Sequence, residues 1–227
     1  MSAPQSLDGD LDALVRRVDP DRWLSSRFIT DPALRADVVA LCAFDHELAR
    51  APAATSNALM GEIRLTWWRE VLNEAFGDGV IRHHPTALAL AGVVSRHGLD
   101  REPLETMIDA RYRELDPTPF SETDALDWGR DTAGLVAQLA AGILDPATDA
   151  ALAVSAGSAW AIGRRLAKQP ELRSVFGHAM TAAKGSVRGL SPKAFPAAAH
   201  AALAGKPDAS DLKKRLALTL AVARGRI

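Results

Sequence analysis

Cysteine is nearly absent from this sequence: its 227 residues include one, Cys42. No disulfide can form within the chain, which fits a reducing, cytoplasmic setting. Long apolar runs are missing as well. No window approaches the roughly 18 uninterrupted apolar residues of a membrane-spanning helix. The opening MSAPQSLDGDLD is acidic and lacks the apolar stretch of a signal peptide. Neither charge sign dominates: 27 basic residues stand against 28 acidic ones, a net charge of -1. That excludes a general attraction to nucleic acid or to an anionic membrane. No alternation of β-branched residues marks strands. No internal repeat, low-complexity linker or shift in composition marks a domain boundary. What is present is apolar mass, 48% hydrophobic against 24% charged, enough for a sizeable core and too much for a disordered chain. Alanine and leucine dominate, so the expectation is a single all-α domain over 1–227.

The stretch 21–76 carries most of the information, including three of the five tryptophans. Asp31 and Pro32 form an N-cap and first-turn pair. The helix they open is expected to reach Arg50, where Ala51-Pro52 stops it. Its apolar stripe is Leu34, Val38, Leu41 and Leu48, and Asp45 falls on that stripe. A second helix is expected from Ser56 or Asn57 to Gly77, with a stripe of Leu59, Ile63, Trp67 and Val71. Met60, Trp68, Leu72 and Phe76 widen it, and Arg64 sits in the widened part. Each helix thus carries one charge on its packing face. Buried charges are normally paired, so Asp45 and Arg64 are expected to face each other; the other reading is that Asp45 lines a pocket.

Elsewhere the pattern predicts helices over 11–18, capped by Asp8 or Asp10, over 19–28, 86–96 and 100–115. Ser121 to Asp124 resembles a capping box, opening a helix to Leu144 that holds the small patch Thr132, Ala133 and Gly134. Asp145-Pro146 opens another to Lys168. Two or three short helices, broken at Gly177, Gly185 and Gly189, fill 171–190. A helix from Ser191-Pro192 to Ala204 and a last one from Asp208–Asp211 to Arg224 complete the chain. That last helix is amphipathic, Leu212, Leu216 and Leu220 against Lys213, Lys214 and Arg215, suited to docking on its own bundle or to a membrane surface or partner.

Ser26, Phe28, Pro32, Arg35, the run Leu41-Cys42-Ala43-Phe44, and Gly61-Glu62-Ile63-Arg64 with Trp67-Trp68-Arg69-Glu70 together resemble the squalene/phytoene synthase family of prenyl-diphosphate condensing proteins. The last of these look most like the branch that contains a mitochondrial complex I assembly factor. The resemblance reaches, more weakly, to Ile227 and implies an isoprenoid-synthase helical bundle. It also implies two aspartate-rich motifs on facing helices that hold magnesium, a hard cation needing oxygen ligands, against the substrate diphosphate. The positions so implied are Ala49, Arg50 and Ala53 in the first motif and Lys168 and Leu172 in the second. None is a carboxylate and two are cations, which cannot ligate magnesium but can bind phosphate directly.

Other acids offer no ready substitute. Asp124, Asp127 and Asp131 share one helical face and read as a solvated, N-terminal acidic face. His46 and Glu47 turn away from Asp45 and read as helix-flank residues. Trp67 and Trp68 read as core. Arg111 and Tyr112 fall where the assembly-factor branch has an alanine–arginine pair; surface pairing with Glu105 or Asp116 is the alternative. Arg164 and Arg165 suit a helix C-terminus. His83-His84 lacks further metal ligands nearby, and Cys42 reads as an inert core thiol. The candidate pocket therefore comprises Asp45, Arg50, Arg64, Trp68, Arg111, Gly134 and Lys168, without catalytic residues or metal ligands. Its apolar wall would be Val38 or Leu41, Trp68, Leu72 and the 132–134 patch, with Arg50 and Lys168 at the mouth. Two functions stay open. One is a non-catalytic relative binding a lipid, an isoprenoid or a protein partner, cytoplasmic or peripheral to the inner face of a membrane and tied to respiratory complex assembly. The other is a prenyl-diphosphate transferase with an atypical magnesium site.

Overall fold

The computed structural model describes residues 7–53 (side chains from residue 11), 57–77, 79–206 and 208–227. Among these, all regular structure is helical. The helices are α1 (Leu7–Val18), α2 (Pro20–Ser26), α3 (Pro32–Ala53), α4 (Ala58–Phe76), α5 (Pro85–His97) and α6 (Arg101–Tyr112). They continue as α7 (Glu122–Gly129), α8 (Leu135–Leu144), α9 (Val154–Arg165), α10 (Arg173–Ser186) and α11 (Asp211–Arg224). The bundle is built around α3, which packs against α1, α2, α4, α5, α6 and α8. Residues 37–45 of α3 are buried on every side, as expected of a helix enclosed by others. A second centre is α9, which packs on α7, α8 and α10.

Several boundaries follow local chemistry. Asp19 caps α2 by accepting from the Arg22 backbone N–H, and Asn57 caps α4. The capping box at Ser121 is complete: its hydroxyl accepts from the Asp124 N–H and the Asp124 carboxylate accepts from the Ser121 N–H. Gly98 and Gly225 end α5 and α11 in the left-handed conformation.

Other expectations need correction. The first helix begins at Leu7, a turn early; the side chains of Asp8 and Asp10, and Ser56, lie outside the described residues. Pro52 does not stop α3, which runs to Ala53; in a last turn proline forfeits one backbone hydrogen bond and the helix tolerates it. Asp145 and Asp149 do not open a long helix. Each accepts from the backbone N–H two residues on, holding turns, and α9 starts only at Val154. Conversely, 171–190 is dominated by the single 14-residue α10. Gly177 and Gly185 lie within it facing open space, at a propensity cost of about 1 kcal/mol each. The helix expected over 191–204 is instead a pair of tight 3₁₀ turns, Phe195–Ala197 and Ala199–Leu203. Pro196 supplies no N–H to the carbonyl four residues back and would clash with it.

Two faces are turned from where periodicity puts them. In α4 the buried side is Gly61, Leu65, Trp68, Val71 and Leu72, while Leu59 is 59% and Ile63 52% exposed. The helix carries two apolar rows, Leu59, Ile63 and Trp67 on one and Gly61, Leu65, Trp68 and Leu72 on the other, and the expected stripe took the wrong one. Gly61 chooses between them: a Cβ there would meet the Leu115 side chain and lie 3.4 Å from the Ala51 carbonyl. In α11, Leu218 and Ala221 are buried, and Leu212 and Leu216 are 76% and 59% exposed. Lys214 faces inward and donates to the buried Asp21 carboxylate at 2.9 Å. A buried acid needs a cation, and that pairing sets the rotation of α11.

Candidate functional site

The helix expected over 122–144 is interrupted by one π-turn, Arg130–Gly134. Such wide turns often accompany functional sites. Here the turn faces α9 at very close range. Gly157 permits this, since a Cβ on it would lie 2.6 Å from the Ala133 carbonyl carbon and 2.9 Å from Gly134 Cα. Thr132 Oγ1 donates to the Trp128 carbonyl at 2.6 Å, one helical turn back. Between this wall and α2–α3 lies a cavity of about 320 Å³.

The floor of the cavity is a buried charge network. Asp45 accepts from Arg22 Nη2 at 2.7 Å and from Arg111 Nη2 at 2.5 Å. Arg22 Nε also donates to Asp19. Arg111 Nη1 donates to Glu114 at 2.6 Å, and the same carboxylate oxygen accepts from Trp128 Nε1 at 2.9 Å. Burial pushes the Asp45 carboxyl up, but Arg111 and Arg22 outweigh it and hold it below the ordinary value. Burial disfavours both guanidinium ions; Asp19 and Asp45 more than offset this for Arg22, as Asp45 and Glu114 do for Arg111. Arg22 Nη1 and Arg111 Nε are buried without an acceptor. Cys42, packed behind this network, is pushed up to about 12 by burial and stays a thiol.

The walls pair tryptophan with arginine. Trp160 carries Arg22 on its ring at 4.7 Å and Arg164 at 5.0 Å. Trp128 carries Arg111 at 5.9 Å and Arg165 at 5.2 Å. Arg165 also lies over Phe120 at 3.5 Å, and burial lowers its pKa. Val18, Ala49, Ala53, Ala133, Ala161 and Lys168 complete the lining with His46, whose half-buried ring is held below its usual pKa chiefly by desolvation.

The seven residues proposed from sequence fall in three places. Asp45, Arg111 and Lys168 line this cavity. Arg50, Arg64 and Trp68 line a separate groove of about 270 Å³ with Glu47, Trp67 and His84. There Arg50 donates to both Glu47 carboxylate oxygens at 3.0 Å, so it is not at the mouth of the central cavity. Trp68 is core, edge-on to Phe44 at 5.4 Å. Gly134 lines neither space; it is buried where a Cβ would press on Val154 at 3.1 Å. The expected Asp45–Arg64 pair does not form: Arg64 is exposed, and Asp45 is claimed by Arg22 and Arg111. Val38, Leu41 and Leu72 are buried core and line neither space.

Sequence reasoning missed Arg22, Asp19, Glu114, Trp128 and Trp160 as cavity residues and placed Arg164 and Arg165 only at a helix end. One signal was available: Trp160, Arg164 and Lys168 recur at four-residue spacing, one face of the helix expected to reach Lys168, although α9 itself ends at Arg165. Of the five positions implied for magnesium-binding aspartates, Ala49, Ala53 and Lys168 do line the cavity, whereas Arg50 and Leu172 do not. Among the described residues, no three histidine, cysteine, aspartate or glutamate side chains converge as a metal-ion cluster. No described helix is long and apolar enough to cross a membrane.

Comparison with known proteins gives a consistent picture. Residues 15–172 match the family model described as squalene/phytoene synthase. Curated relatives described as NADH dehydrogenase (ubiquinone) complex I, assembly factor 6, are 29% identical over 114 residues in Homo sapiens and 31% over 114 in Rattus norvegicus. Each match covers 50% of this chain and 34% of the relative, so the aligned part spans about a third of those proteins. Among solved structures, a dehydrosqualene synthase in complex with ligand superposes with a TM-score of 0.75 at 14% identity, covering 97% of this chain and 96% of that one. The squalene synthase HpnC from Alicyclobacillus acidocaldarius superposes with a TM-score of 0.67 at 17% identity, covering 98% and 97%. At these identities the superpositions establish a shared fold.

Proposed function

Because this chain belongs to the squalene/phytoene synthase family, we propose that it is a non-catalytic member, a single domain over 1–227 that uses its central cavity for binding. The observation that carries this reading is the make-up of the cavity wall. Where the family's magnesium chemistry needs carboxylates, this wall presents Ala49, Ala53 and Lys168. The three carboxylates that do reach the cavity, Asp19, Asp45 and Glu114, are each bonded to Arg22 or Arg111. A magnesium ion would have to displace a guanidinium and approach Arg164, Arg165 and Lys168, against Coulomb repulsion. The residues present therefore do not fit that metal.

The sequence similarity to complex I assembly factors supports a role in respiratory complex assembly, through a protein partner, a bound lipid or isoprenoid, or both. The exposed row Leu212, Leu216 and Leu220 beside Lys213 and Arg224 supports a peripheral contact of α11 with the partner or with the inner, cytoplasmic face of a membrane. The rival reading, prenyl transfer through an atypical magnesium site, must recruit Asp19, Asp45 or Glu114. Calorimetric titration of magnesium into the protein with farnesyl diphosphate separates the two. No magnesium-dependent heat is expected; tight, stoichiometric, magnesium-dependent binding would refute the non-catalytic reading.

A further inference from the structure

Eight large hydrophobic side chains stand exposed among the described residues, and six of them lie on two helices. Leu59, Met60 and Ile63 are on α4; Leu212, Leu216 and Leu220 are on α11. A single exposed leucine is ordinary, but a contiguous row on a surface helix marks an interaction. Each helix presents such a row at four-residue spacing: Leu59, Ile63 and the half-buried Trp67 on one, Leu212, Leu216 and Leu220 on the other. Each row spans about 12 Å at the helical rise per residue. The α4 row lines a groove of about 340 Å³ whose polar rim includes Glu62 and Glu70.

The edges of the two rows carry opposite charge. Glu62 is exposed and has no ion-pair partner among the described residues. Glu70 shares Arg82, 3.0 Å away, with Glu74. Arg64, also exposed, lines the neighbouring groove with Glu47. On α11, Lys213 and Arg224 flank the leucines, both exposed and without an ion-pair partner among the described residues. Arg215 is held by Asp211 at 2.8 Å. Within one copy the two rows do not meet: α4 packs on α3, α5 and α6, and α11 packs on α2 and the 199–203 turn. An anionic membrane would suit α11 but would repel Glu62 and Glu70. A second copy satisfies both rows, because every chain carries one apolar helix with a basic edge and one apolar groove with an acidic edge.

We infer that this protein self-associates by laying the leucine row of α11 into the α4 groove of a second copy, with Lys213 and Arg224 set against Glu62 and Glu70. Burial of the two rows supplies the attraction, and the opposite charges at the edges select the partner surface. The contact joins unlike surfaces, so each copy offers one of each. It assigns the exposed face of α11 to a second copy, and it does not depend on whether the chain is catalytic.

The test is analytical ultracentrifugation of the purified full chain over a wide range of protein concentration. The mass is expected to rise above that of the monomer as concentration increases. Ile63→Glu and Leu216→Glu alter exposed side chains, and each is expected to weaken association at least tenfold with the far-UV circular dichroism unchanged. Mixed in equal amounts, the two variants are expected to form a dimer again. The intact α11 of the Ile63→Glu chain then meets the intact α4 of the Leu216→Glu chain. Glu62→Lys is expected to weaken association of the parent several-fold. A monomer at every concentration overturns the inference. If that monomer binds phosphatidylglycerol vesicles and Leu216→Glu abolishes the binding, the α11 row serves a membrane instead. Association that survives either glutamate substitution, or that mixing the two variants fails to restore, overturns it as well.

Discussion

Asp45→Ala is expected to destabilise the protein by about 3 kcal/mol, because it removes the buried carboxylate that two buried guanidinium groups share. Arg22 and Arg111 are each about 95% buried, and Asp45 is the one carboxylate they share. After truncation Arg22 keeps Asp19 and Arg111 keeps Glu114, but the charge joining α2, α3 and α6 at the cavity floor is gone. Urea denaturation should show a lower midpoint with an unchanged slope. The pH dependence has a fixed sign. The folded-state pKa of Asp45 is depressed, so its stabilisation is present above the unfolded value of about 3.9. It is lost as pH falls through the lower folded value. Asp45→Asn should therefore flatten the acid limb of the stability profile. Arg64→Ala, on an exposed side chain, should stay within about 0.5 kcal/mol of the parent; a large loss there would mean that the two opening helices pair differently.

Gly157→Ala is expected to cost about 3 kcal/mol or more. In an unhindered helix the change would gain about 1 kcal/mol. Here the added methyl meets backbone, the Ala133 carbonyl and Gly134 Cα, and backbone inside a π-turn cannot rotate away as a side chain does. Overpacking typically costs 1–3 kcal/mol, and contact with main chain belongs at the upper end. Gly177→Ala in α10, where a Cβ meets nothing within 4 Å, is the control and should be neutral or stabilising. A thermal melt of the two variants decides it: equal and small shifts would mean that α9 does not approach the π-turn as closely as described.

Legibility from sequence divides along physical lines. Some caps were readable because their chemistry is local: Asp31-Pro32 and the Ser121–Asp124 box depend on residues within a few positions of themselves, although Pro52 and Asp145-Pro146, equally local, did not mark the boundaries expected of them. Composition carried the all-α class, and the family resemblance carried the isoprenoid-synthase bundle. Rotation of helices was not readable where more than one apolar row was on offer. In α4 the face is chosen by Gly61 against Leu115, a contact more than fifty residues away in sequence. In α11 it is chosen by Lys214 reaching Asp21. The Asp45–Arg64 expectation failed for the same reason. It paired the one charge read onto the packing face of each opening helix, whereas burial selected partners from α2 and α6. The π-turn left no periodic signature, since one extra residue per turn looks in sequence like a slightly irregular stripe. For the cavity, the implied aspartate positions pointed to its wall through Ala49, Ala53 and Lys168. Its cationic half stayed hidden because arginines late in a helix have an ordinary explanation in the helix dipole.

Incubation of the purified protein with farnesyl diphosphate and magnesium or manganese, with pyrophosphate release followed over time, tests the central claim most directly. The account predicts no release above the protein-free control with either metal, because among the described residues no free carboxylates converge to hold the ion that would stabilise the leaving diphosphate. Sustained, metal-dependent release at many turnovers per protein, abolished by Asp45→Asn, would contradict it and would make the chain a prenyl transferase with its acids in new positions.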